Sequence, residues 1–255
     1  MLLAIDIGNT QTAAGLIDGS EIVAHWRLTT IADRTEDELR VYLTGLLGLE
    51  GYEIGDISGV ALSSVVPALT AAFRTVAGSM TDGSIVIVGP GVKTGMPILI
   101  DNPREVGADR IANSVAARAR HGSPVVVVDF GTSTNFDVVS PNGEYLGGVI
   151  APGLHIATNA LISGTAALRR VEYVPPRSPI GKGTVEAIQS GALYGHAGLV
   201  DGIMERIVAE LGGDVIRIAT GGLAPTIVPH CSSVSTIDEF LTLEGLRTIY
   251  ELNTT

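Results

Sequence analysis

Residues 2–19 read LLAIDIGNTQTAAGLIDG, and residues 125–142 read VVVVDFGTSTNFDVVSPN. Each stretch is an apolar strand, then Asp, an apolar residue and Gly, then small polar residues, then a second apolar strand ending in a turn. Asp6 corresponds to Asp129, Gly8 to Gly131, Asn9 to Thr132 and Thr10 to Ser133. One such strand–turn–strand unit is common and carries little weight. Two with the same Asp-x-Gly turn, spaced at nearly half the chain, predict a duplicated two-domain fold.

Outward from each hairpin, strands and helices alternate, which predicts an α/β protein. In the first half, Thr35 and Glu38 form a T-x-x-E capping box opening an amphipathic helix to about Leu47. Residues 57–66 read as a strand, 69–80 as a helix, 84–88 as a strand and 108–120 as an Ala- and Arg-rich helix. In the second half, the glycine-rich run 147–153 leads into a helix to about Leu168, followed by a Pro-rich connection. A long helix is expected over 184–211, a buried strand over 215–219 and a last helix over 238–252. The boundary is placed near 118–124, giving halves 1–118 and 119–255.

The chain has 255 residues, 45% hydrophobic and 17% charged, so it buries a core and is not disordered. Its formal net charge of −11 argues against a nucleic-acid surface, so no nucleic-acid partner is expected. An acidic protein can still hold a phosphate locally, with backbone N–H groups, a metal or a few cations. Cys231 is the one cysteine, which excludes an intrachain disulfide and a cysteine zinc cluster. The N-terminus reads as a first strand, not a signal peptide, and no apolar run approaches the roughly 20 residues that span a bilayer. A cytoplasmic protein without membrane attachment is expected.

The chemistry sits in the turns. No Walker A loop is present, and no G-x-G-x-x-G follows the first strand. The two Asp-x-Gly turns offer another phosphate device: glycine admits the ligand to the backbone, and the following N–H and hydroxyl groups donate to phosphate oxygens. Asp6 and Asp129 then stand where a metal ion would bridge those oxygens. Thr220-Gly221-Gly222 after a buried strand is a candidate close approach to a nucleotide, although a plain strand-to-helix turn explains it equally well. Asp109 opens a helix, where a capping role competes with a chemical one. The five histidines show no metal spacing and are read as structural or surface residues. The 184–211 helix is read as either core or a dimer face.

The N-terminal D-x-G-N-T, the second D-F-G-T and the late T-G-G resemble the superfamily of acetate kinase, sugar kinases, heat-shock chaperone ATPases and actin. Within it, 101–110 (DNPREVGADR) resembles the signature of the type III pantothenate kinases. So do 63–67 (SSVVP), 147–154 (GGVIAPGL), 184–191 (TVEAIQSG) and 219–223 (ATGGL). The resemblance implies actin-like, ribonuclease H-like halves with nucleotide in the cleft between them. It implies ATP-dependent phosphorylation of pantothenate, the first step toward coenzyme A, with Mg²⁺ or a similar divalent ion and a monovalent cation, K⁺ or NH₄⁺.

On this resemblance Asp6, Gly8, Asn9 and Thr10 form the first phosphate loop, Asp6 facing the divalent ion. Asp129 holds the monovalent cation, while Thr132, Gly221 and Gly222 contact ATP. Gly107, Ala108, Asp109 and Arg110 bind pantothenate, Asp109 serving as base. Thr184 reaches pantothenate from the neighbouring protomer, which implies a homodimer with a shared active site. The sequence departs from the family pattern at Gly183, at Ser133 and Asn135, and at Ile100. Two other readings are another small-molecule kinase of the superfamily, and a silent ligand-binding relative acting through protein partners.

Overall fold

Leu2–Ile7 (β1) and Gln11–Asp18 (β2) form an antiparallel hairpin in the computed structural model, which describes residues 1–254. Glu21–Thr29 (β3) extends the hairpin on β2. Glu36–Leu49 (α1) follows, with the expected capping box: Thr35 Oγ1 accepts from the Glu38 N–H, and the Glu38 carboxylate accepts from the Thr35 N–H. These hydrogen bonds hold the Glu38 carboxyl below its ordinary range. Gly59–Ser64 (β4) then runs parallel to β1, and Pro67–Met80 (α2) starts on a proline that has no N–H to leave unsatisfied. Ile85–Ile87 (β5) closes the first sheet in the order β3-β2-β1-β4-β5. Ala108–His121 (α3) follows.

The second hairpin, Val125–Phe130 (β6) with Ser133–Val139 (β7), repeats the pattern. Tyr145–Pro152 (β8) adds antiparallel to β7. Leu154–Ser163 (α4) and Thr184–Leu211 (α5) come next. Ile216–Thr220 (β9) lies parallel to β6, as β4 does to β1. A short helix, Ala224–Ile227 (α6), and a two-residue edge strand, Thr236–Ile237 (β10), complete a sheet ordered β10-β9-β6-β7-β8. Strand for strand this is the topology of the first sheet, so the duplication read from the two Asp-x-Gly turns extends to both sheets.

Contacts divide the chain into two units: Met1–Ala119 with the segment from Phe240 onward, and Arg120–Glu239. The second half expected from sequence, 119–255, is corrected in this respect, because Leu241–Thr254 (α7) packs on β1 and β4 of the first unit. The small residues on that face explain why. A Cβ at Gly59 would collide with the Tyr250 hydroxyl, and one at Gly15 would stand 2.7 Å from Leu243 Cδ1. The opposite face of the sheet presents Leu3, Ile5, Ile7, Leu16 and Leu62 to α1 and α2 through Leu39, Leu43, Phe73 and Val76. In the second unit Val126, Val128, Phe130 and Phe136 pack against Leu193, Val200 and Met204 of α5. Leu193, Ala197, Val200 and Met204, spaced three and four residues apart, thus form a core stripe over part of the helix.

Two further boundaries differ from expectation. The helix after the glycine-rich run stops at Ser163 rather than Leu168, where Gly164 takes the cap position. The last helix begins at Leu241 rather than Asp238, because the Asp238 N–H instead pairs with Ala219 O and its carboxylate holds His121 and Arg120. Among the described residues no helix is long and apolar enough to cross a membrane.

Candidate functional site

In the first unit the expected site residues gather at one end of the sheet. Asp6 is half-buried near the end of β1, and Asn9 and Thr10 are exposed at the tip of the turn. The Gly8 N–H closes the turn on Gln11 O at 3.0 Å, and a Cβ at Gly8 would press that oxygen at 2.9 Å. The chain leaves β4 at the same end. The Val65 N–H donates to Ile7 O at 3.0 Å, and Val65 Cγ1 lies 3.6 Å from where a Gly107 Cβ would stand. Val65 therefore ties the first turn to the start of α3, which carries Gly107, Ala108, Asp109 and Arg110.

The start of α3 corrects the capping alternative for Asp109. The first helical hydrogen bond runs from Ile111 N–H to Gly107 O, so Gly107 holds the cap position and Asp109 lies inside the first turn. Its Oδ1 accepts the Arg110 N–H at 2.9 Å. A Cβ on Gly107 would collide with that same oxygen, so the glycine leaves room for the carboxylate. Burial pushes the Asp109 carboxyl above the ordinary range, against the opposing pull of the Arg110 N–H and guanidinium. A carboxylate with raised proton affinity at a partly open helix start suits proton acceptance. Upstream, Asn102 Oδ1 accepts the Arg104 N–H, and its amide donates to Glu105, fixing the turn that leads into the helix.

In the second unit Asp129 sits at the end of β6, with Gly131 and Thr132 exposed at the turn. Two glycines crowd this turn. A Cβ on Gly221 would collide with Asp129 Oδ1 and stand 2.7 Å from both Phe130 N and Phe130 O, and Gly221 has φ +91°. A Cβ on Gly153, which caps α4, would collide with Thr132 O. Gly221 is thus required as the seat of Asp129, whether or not a ligand also approaches it. Gly222 is exposed beside it. Thr184 is exposed at the head of α5 and lines a cavity of about 490 Å³ between α4 and α5, with Pro152, Leu154, Ile188 and His196. His196 Nε2 lies 2.9 Å from Thr134 Oγ1, and burial holds its pKa below the usual histidine value.

The structure thus groups Asp6, Gly8, Asn9 and Thr10 with Gly107 to Arg110 in one unit. It groups Asp129, Thr132 and Gly221 in the other, with Thr184 on the neighbouring cavity. Sequence reasoning assigned no role to Ser63 or Gly153. Ser63 is fully buried on β4 opposite Asp6, and its hydroxyl donates to Asp6 Oδ1 at 2.5 Å. The signal was present in SSVVP, but a role for its first serine needs the register of two strands far apart in sequence.

Two units of one topology, each with an aspartate turn at the end of its first strand, define the two-domain actin-like fold of ATPases and sugar kinases. Component A of the (R)-2-hydroxyglutaryl-CoA dehydratase of Acidaminococcus fermentans shares it, with a TM-score of 0.57 at 15% identity over 98% of each chain. Within that class, the family model for type III pantothenate kinase matches residues 2–206. The type III pantothenate kinase of Streptomyces griseus subsp. griseus is 54% identical over 261 residues, covering 99% of this chain and 98% of its own. That of Moorella thermoacetica is 50% identical over all of both chains. The chain belongs to the type III pantothenate kinase family.

Proposed function

We propose that the chain carries out the reaction its family is named for: phosphoryl transfer from ATP to the primary hydroxyl of pantothenate, giving 4′-phosphopantothenate on the way to coenzyme A. The observation that carries this reading is the half-buried Asp109, raised in proton affinity and seated against Gly107 at the start of α3. Asp109 accepts the proton of the attacking hydroxyl. Arg110, beside it, supplies positive charge for the pantothenate carboxylate or the moving phosphoryl group. Gly8, Asn9 and Thr10 offer backbone N–H and side-chain donors to phosphate oxygens, and Thr132 does the same from the second turn.

Among the described residues no three His, Cys, Asp or Glu side chains cluster as a metal cage. The half-buried Asp6 carboxylate at the first turn fits a divalent ion such as Mg²⁺, which is commonly held by one or two carboxylates together with substrate phosphates and water. Asp6 is the proposed carboxylate, and when bound the ion neutralises charge on the phosphates. Asp129, held by Gly221, is the proposed ligand of a monovalent cation, K⁺ or NH₄⁺. Thr184 is proposed to contact pantothenate bound to a second copy of the chain. Leu161 on α4, which lines the same cavity as Thr184, and Val185 beside Thr184 are exposed apolar side chains that such a copy would cover.

An acceptor panel tests the activity: ADP release by the purified chain with pantothenate, a set of sugars, and acetate. Turnover with pantothenate and formation of its phosphate ester is expected. Turnover only with a sugar or acetate would assign another kinase, and none with any acceptor would leave a silent binding protein.

A further inference from the structure

We propose that Ser63 is a positioning residue that aims the Asp6 carboxylate, an inference that rests on the reading of Asp6 as the residue facing the divalent ion. Ser63 and Asp6 face each other in the parallel register of β4 and β1. The serine is fully buried, and its hydroxyl donates to Asp6 Oδ1 at 2.5 Å. That is the short separation of a hydroxyl bonded to an ionised carboxylate. The neighbouring Ser64 shows what a strand-end serine does for the fold alone. Its Oγ accepts the Val66 N–H and donates to Val66 O, closing the turn into α2. Ser63 plays no such local part; its partner lies 57 residues away.

The second unit repeats the placement. Asp129 on β6 faces Thr220 on β9 in the parallel register, and Thr220 is also buried. The two strands, GVALSS and IRIAT, share little else, yet each sets a hydroxyl residue opposite the aspartate of its turn. A buried hydroxyl needs a partner, and an apolar residue would fill a strand position without that demand. Its recurrence opposite both aspartates points to the carboxylates. A fixed donor on Oδ1 restricts the rotation of Asp6, so the group is oriented before metal and nucleotide arrive.

The test compares Ser63→Ala, Ser63→Cys and Ser63→Thr, with Asp6→Asn as reference. The readouts are Mg²⁺–ADP affinity by calorimetry without pantothenate, the Mg²⁺ dependence of turnover, the pantothenate KM and the melting temperature. Ser63→Ala is expected to weaken Mg²⁺–ADP binding and lower kcat by about tenfold or more, with an unchanged pantothenate KM. Ser63→Cys fills the space but donates weakly, and should follow Ala. Ser63→Thr keeps the hydroxyl and should bind Mg²⁺–ADP like the parent chain. Unchanged binding and kcat in Ser63→Ala, with both lost in Asp6→Asn, would overturn the role of Ser63 while sparing that of Asp6. Loss in all three Ser63 variants together with a lowered melting temperature would make Ser63 a packing residue and overturn the proposal. Unchanged binding and turnover in Asp6→Asn would remove the reading of Asp6, and this inference with it.

Discussion

Three features shape the setting of Asp109: Gly107 leaves room for its Oδ1, the Arg110 N–H bonds to it, and burial removes water. Burial dominates and raises its pKa, so the folded state binds its proton more tightly than the unfolded chain does. The stability that protonated Asp109 contributes is present below the unfolded pKa and is lost as pH rises through the folded one. Above that window the ionised carboxylate weighs against the fold, a cost that the proposed role as base would explain. Asp109→Asn keeps the shape and removes the proposed base. At neutral pH its melting temperature should be no lower than that of the parent. Turnover should fall about 10²–10⁴-fold, the usual contribution of a general base, while ATP binding persists in a calorimetric titration. Near-normal turnover in this variant would move the base elsewhere, with Asp6 the next candidate.

Helix packing shows where sequence was sufficient and where it was not. The capping box at Thr35 and the span of α5 were legible because both are local: a side chain bonds three residues away, and a helix extends between its caps. The return of α7 to the first unit was not, because it depends on small residues spread over β2 and β4, and on α3. A Cβ at Gly245 would collide with Ala112 O, and the Thr242 hydroxyl donates to Asn113 Oδ1 at 2.7 Å. Backbone cannot swing aside as a side chain can, so Gly245→Ala should destabilise the chain by about 1–3 kcal/mol. Gly45, in α1, has nothing within 4 Å of an added Cβ. Gly45→Ala should therefore stabilise by up to roughly 1 kcal/mol. Chemical denaturation midpoints of the two variants, moving in opposite directions, check both. The same distinction covers the site. The aspartates and their glycines stand out as motifs, whereas Ser63 opposite Asp6 and Gly153 against Thr132 emerge only when separate elements meet.

For the molecule as a whole, duplication places an aspartate turn at the end of the first strand of each unit, and the family supplies the substrate. We propose that pantothenate is phosphorylated with Asp109 from one protomer and Thr184 from its partner. Thr184→Glu keeps a residue that suits a helix N-terminus, but sets a negative charge beside an anionic substrate. Each variant alone, Asp109→Asn or Thr184→Glu, should form little phosphopantothenate. Co-expressed, they should yield heterodimers in which one of the two sites carries neither substitution, restoring about a quarter of parent activity for random pairing in a two-fold dimer. Phosphopantothenate formation by the co-expressed pair is the deciding measurement. Recovery near that level is expected of a shared active site, and activity no greater than the sum of the separate variants would exclude one.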